Sequence, residues 1–152
     1  MEWADDEVWR AVLSCEPARH DEMLRGYLLH LHVVQRAFFN VWTGQPLTFP
    51  EPSAFPDITQ MQAWAAPFHA QARDFIDRLD DQQLTTPVAM PWVAEFEKRV
   101  NRTFATPTLG ETMFQVTSHS TYHRGQVNAR LRAVGGGPPL VDYIAWVWFG
   151  RP

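Results

Sequence analysis

Apolar residues recur along the chain at helical intervals, and the breaks between the runs divide it into a few helices. From about Ala18 to Trp42, Leu24, Leu28, Leu31, Phe38 and Trp42 return every three or four positions, which lays one stripe along a helix. Thr43-Gly44-Gln45-Pro46 stops that run. Ahead of it, Val8, Trp9, Val12 and Leu13 form the apolar side of a short first helix, with Asp5 and Asp6 expected to cap its start and Pro17 to end or restart it. Four prolines between Gln45 and Pro56 predict a loop. Asp57 then reads as the N-cap of a helix carrying Ile58, Met61, Trp64, Phe68, Ala72, Phe75 and Leu79, which Pro67 should kink or split.

The helical period fades from Thr85 to Thr106. Pro87, Pro91 and Pro107 frame Val88, Met90, Trp92, Val93 and Phe96, so an irregular excursion or a short β-hairpin is expected. Thr108-Leu109-Gly110-Glu111 is a capping-box pattern and opens the last long helix, with an apolar stripe of Leu109, Met113, Val116, Val127, Leu131 and Val134. Gly135-Gly136-Gly137 ends it near Val134. Beyond Pro138-Pro139, Asp142 is placed to cap a tryptophan-rich segment, Tyr143 to Phe149, expected to pack across one end. There is no internal repeat and no long linker. The pattern predicts one all-α domain over residues 1–152, a four-helix-type bundle with the excursion set before its last long helix.

Composition narrows the classes of function. With 45% hydrophobic and 20% charged residues in 152, the chain can bury a core without staples. The net charge of −4 argues against a nucleic-acid binder, and Lys98, Arg99 and Arg102 form the only tight basic cluster, read as a solvated patch. No apolar run reaches the roughly 18 residues of a spanning helix, and the acidic N-terminus lacks a secretory pattern. Cys15 is the single cysteine, so no internal disulfide forms, and nothing beside it, with Glu16 adjacent, would stabilise a thiolate. A soluble cytoplasmic protein is expected, with a small-molecule substrate rather than nucleic acid or membrane as its partner.

The candidate chemistry lies in Thr117-Ser118-His119-Ser120-Thr121-Tyr122-His123-Arg124-Gly125-Gln126. His119 and His123 are four apart, so their imidazoles leave the same side of a helix, one turn above the other. His123 borders the apolar stripe, and Gln126 and Arg130 continue a polar edge that faces inward or into a cleft. Two histidines grip a metal ion poorly without a third ligand. The long second helix offers His30 and His32, each about 100° from Leu31 on opposite sides, and periodicity does not choose between them. His20 and His69 read as ordinary surface or satisfied residues. Ser118, Ser120 and Thr121 adjoin the histidines, but a helix interior has no free amides for an oxyanion hole. Glu95 and Glu97 read as the solvent face of a possible strand.

The segment from Thr108 to Ile144 resembles the signature of the DinB/YfiT-like superfamily. The resemblance rests on Glu111, the His119 to Gln126 block, Leu131-Arg132, Gly135, Pro138-Pro139 and Asp142-Tyr143-Ile144, in order. His30, Gln35, Arg36 and Phe38 are similar to the family's other motif, which favours His30 over His32. The resemblance implies a four-helix bundle, often a homodimer, with His30, His119 and His123 as ligands of a divalent metal. It also implies a reaction in which a low-molecular-weight thiol, or water, attacks a small electrophile. Zn2+ and Ni2+ are the foremost candidate ions, although imidazoles also suit iron and copper. Gln126 and Arg130 would then orient ligands or substrate. The rivals are a metal-dependent hydrolase and a non-catalytic, stress-related helical dimer, with Trp146 and Trp148 as contacts.

Overall fold

Local side-chain chemistry sets the helix boundaries in the computed structural model, which describes residues 1–152. Asp21 accepts a hydrogen bond from the Leu24 amide and starts a helix over Glu22–Thr43, which Gly44 closes in the left-handed conformation at φ 68°. Thr108 and Glu111 form the reciprocal capping box of the helix Leu109–Ala133. Asp57 accepts from the Gln60 amide to cap Ile58–Ala65, and Pro67 begins a separate helix, Pro67–Ile76, so the expected break is a full split.

In chain order the helices are α1 (Glu2–Leu13), α2 (Glu16–Arg19), α3 (Glu22–Thr43), α4 (Ile58–Ala65), α5 (Pro67–Ile76), α6 (Val93–Val100), α7 (Leu109–Ala133) and α8 (Tyr143–Trp148). The fold is all-α. No helix is long and apolar enough to cross a membrane.

Two expectations are corrected. The hairpin alternative for Thr85 to Thr106 is not formed: its only β-type pairing is an isolated bridge between Pro87 and Thr108, and its centre is α6. Val93, Phe96 and Val100 fall at helical spacing there, and Asn101 closes the helix in the left-handed region, where asparagine is among the more tolerant residues. Glu95 and Glu97 are therefore helix residues, and Glu97 accepts a hydrogen bond from the Phe104 amide. The second correction is at Asp5. The first helix starts at Glu2 without a side-chain cap, and Asp5 lies one turn inside it, 2% exposed, on the face shared with Val8, Trp9 and Val12.

The most extensive helix pair is α3 with α7, and the two run antiparallel. Asp21 meets Arg130 at one end, and the Trp42 indole donates to Thr112 Oγ1 at the other. Helix α1 packs on α7 and α4, while α4 and α5 both pack on α3. Along this frame the interior has three zones. An aliphatic cluster with Leu24, Leu28, Val127 and Leu131 fills one end. Edge-to-face contacts of Phe39 with Phe68 and Phe75 fill the other, with Trp42 stacked on Phe75. A polar layer of Asp5, His32, Gln35, Ser120 and Arg124, all buried, lies between them.

Candidate metal centre

His30 projects from the middle of α3, and His119 and His123 project from the middle of α7, at the height where the antiparallel helices cross the polar layer. One ring nitrogen from each of the three histidines lies within 4.8 Å of the others. Ring centroids are 4.3 Å apart for His119 and His123, 4.5 Å for His30 and His123, and 6.0 Å for His30 and His119. A small tetrahedral ion with bonds of about 2.0–2.1 Å keeps its nitrogen ligands roughly 3.3 Å apart, so small side-chain shifts suffice for all three to reach one cation.

The donor set suits a cation. Gln126 Oε1 is 2.6 Å from His123 Nδ1 and can only accept, so Nδ1 carries the proton and donates. That leaves the lone pair of His123 on Nε2, which faces His119 Nε2 at 2.9 Å. Holding the distal nitrogen of an imidazole to fix its tautomer is how metal-binding histidines are commonly prepared. The Gln126 amide group in turn donates to the Tyr122 hydroxyl at 3.4 Å, and the Tyr122 ring stands against both imidazoles of α7.

Burial first, then repulsion from the neighbouring imidazoles, push His119 and His30 below the ordinary histidine value of 6.5. Both are therefore neutral near pH 7 and carry lone pairs that can bind a metal. The cluster grades from buried His123 to exposed His30. The polar edge thus turns inward only at His123. With His30 exposed and His119 half-buried, the site opens to the surface on the His30 side.

The two candidates on α3 separate completely. His32 faces α1, where its Nε2 accepts from the Trp9 indole at 2.9 Å, and the two rings stack 5.5 Å apart. An indole N–H only donates, so His32 is neutral with its proton on Nδ1, which donates to Gln35 Oε1 at 2.8 Å. Burial is the main cause that holds its pKa down. The other motif residues are also placed. Arg36 donates to the Trp64 carbonyl, with its guanidinium 4.9 Å from the Trp64 ring centre, and Phe38 meets Trp92 edge to face. Arg130, expected to orient substrate, is held in a two-point pair with Asp21 and ties α7 to the start of α3. His20 is an exposed partner of Glu16, whereas His69 is a satisfied interior residue bound to Asp5.

Asp5 shares the inward spacing of Val8, Trp9 and Val12, and Ser120 and Arg124 fill the gap in the α7 stripe between Val116 and Val127. Asp5 accepts from Arg124 Nη1 at 2.7 Å, Gln35 Nε2 at 2.8 Å and His69 Nε2 at 2.9 Å. Burial acts to raise its pKa, but the His69 hydrogen bond and the surrounding positive charge outweigh that and hold the carboxyl far below its ordinary range.

A family model, that of the DinB superfamily, matches residues 10–127, a span that contains His30, His119 and His123. No curated protein and no solved structure matches the chain.

Proposed function

We propose, from the premise that this chain belongs to the DinB superfamily, that it is a metal-dependent enzyme whose His30, His119 and His123 hold one divalent ion, Zn2+ or Ni2+. Its reaction is attack of a low-molecular-weight thiol, or of water, on a small electrophilic substrate. The observation that carries this reading is the convergence of three imidazole nitrogens within 4.8 Å from two helices. A divalent ion held by these three imidazoles would supply Lewis acidity toward a thiol or water near neutral pH.

The chain's own residues do the rest. Gln126 holds the His123 proton on Nδ1 and so keeps Nε2 unprotonated, an acceptor toward His119 Nε2. Depressed basicity keeps His30 and His119 unprotonated. Tyr122, exposed beside the α7 pair, offers an aromatic wall and a hydroxyl to a substrate at the open mouth.

A second reading is favoured by the exposed aromatic side chains Trp148 and Phe149: a stress-related dimer that binds metal without turnover, with these two as contacts between copies in the cytoplasm. Elemental analysis of protein purified without chelators tests the centre. About one ion per chain is expected, lost in His119→Ala. Absence of a stoichiometric ion, with His119→Ala unchanged in stability, sinks both readings. Titrating the cobalt-substituted protein with small thiols separates the chemistries: a new sulfur-to-cobalt band supports thiol transfer, and an unaltered spectrum moves the proposal to hydrolysis or to binding without turnover.

A further inference from the structure

The Asp5 carboxylate joins the two helical segments that carry the histidines, yet it touches none of the three. On the α3 side, Gln35 Nε2 donates to Asp5 Oδ2 at 2.8 Å and to Ser120 Oγ at 3.2 Å, while Gln35 Oε1 accepts from His32. His32 and Gln35 follow His30 by two and five residues. On the α7 side, Arg124 Nη1 donates to Asp5 Oδ1 at 2.7 Å, and Ser120 and Arg124 directly follow His119 and His123. His69 of α5 supplies a third donor. Every direction along the path from Trp9 to Asp5 is determined. The Trp9 indole can only donate, which makes His32 Nε2 an acceptor, His32 Nδ1 a donor, Gln35 Oε1 an acceptor and Gln35 Nε2 a donor toward Asp5. Neither His32 nor Gln35 can flip without setting donor against donor in the buried layer.

We propose that Asp5 is a positioning residue for the three-histidine centre: by accepting from Gln35 and Arg124 together, it sets where the His30 segment of α3 stands against the His119–His123 segment of α7, and so sets cation affinity. This rests on the metal-centre reading given above. An asparagine in its place has the same shape but only one acceptor atom. Whichever way its amide turns, an N–H faces Arg124 or faces Gln35 and His69, so the two segments must move apart to relieve the contact.

The test is titration of the full-length protein with Co2+, recording affinity and the visible ligand-field spectrum for the parent, Asp5→Asn and Met61→Ala. Met61 is fully buried in α4 and takes no part in the polar layer, so its variant controls for lost stability alone. Asp5→Asn is expected to bind Co2+ roughly tenfold or more weakly, with a shifted spectrum. Met61→Ala is expected to keep the parent affinity and bands. Should Asp5→Asn fail to fold, Ser120→Ala, which removes only the link from Gln35 to α7, should also weaken Co2+ and shift its bands. Parent-like affinity and spectrum in whichever of these variants folds overturns the proposal, and so does equal weakening by Met61→Ala. A parent that binds no Co2+ sinks the metal-centre reading and this one with it. A parent that binds while Asp5→Asn binds equally well sinks this one alone.

Discussion

His30 and His32 are two positions apart, and their environments assign them opposite roles. Replacing His32 by alanine strands the Trp9 N–H and Gln35 Oε1 in the interior and leaves a void beside a stacked indole. The expected loss is about 2–4 kcal/mol of stability in urea unfolding. His30→Ala, at an exposed position without a hydrogen-bond partner inside the fold, should leave stability within about 0.5 kcal/mol while abolishing stoichiometric metal in a chelator competition. Equal destabilisation by the two would contradict this assignment. The distinction was not legible in the helical period, because both residues flank Leu31 at equal angles. It comes from the neighbours, α1 on one side and α7 on the other. The same imidazoles predict a pH response. Burial chiefly lowers His30, His32 and His119, whereas the unfolded chain titrates near the ordinary value of 6.5. Between the folded and unfolded values the unfolded state holds more protons, so metal-free protein should lose stability as pH falls below about 6.5 and be insensitive to these groups well above it. Urea midpoints from pH 8 to pH 5 in chelator check the sign, and a midpoint that rises on acidification would refute it.

Helix ends were the most legible elements where the cap is local chemistry: Asp57 and the Thr108–Glu111 box act where the sequence places them, whereas Asp21 starts α3 at Glu22, four residues beyond the expected start near Ala18. The stop after α7 shows how three adjacent glycines divide the work. Gly135 has φ 89°, which a side chain rarely adopts. At Gly136 a Cβ would stand 2.3 Å from Leu131 Cδ1 and 3.1 Å from Cys15 Sγ, while Gly137 has open space. Gly136→Ala should therefore cost about 1–3 kcal/mol through forced repacking of Leu131, and Gly137→Ala should be nearly neutral, as thermal melts of the two would report. What the local patterns left open was α6, where Val93, Phe96 and Val100 suit a strand as well as a helix and Pro87, Pro91 and Pro107 lie on either side. Asp5 was misjudged for a related reason. Acidic residues near a helix start are commonly caps, and only the partner helices, bringing Arg124 and His69, explain a buried carboxylate.

At the scale of the whole molecule, the fold holds the candidate centre in place without needing an ion. The three histidines come from only two helices, and those helices are already packed along their lengths and fastened at both ends by Asp21 with Arg130 and Trp42 with Thr112. Between the fasteners, the polar layer joins α1, α3, α5 and α7, so the crossing point beside the histidines is among the most connected places in the chain. A metal that organised the fold would instead draw ligands from segments with little contact of their own, as in small domains that unfold on chelation. Removing metal here should therefore leave helical circular dichroism unchanged and lower the melting temperature only by the linkage term. With free ion at a hundred times Kd, that term is about 2.7 kcal/mol. For a domain of this size it corresponds to roughly 5–11 °C. Melts with and without chelator, followed by re-addition of Zn2+, measure it, and full recovery is expected. Loss of helical signal on chelation would show that the ion builds the α3–α7 pair rather than settling into it, and the order of events argued from the two fasteners would be reversed.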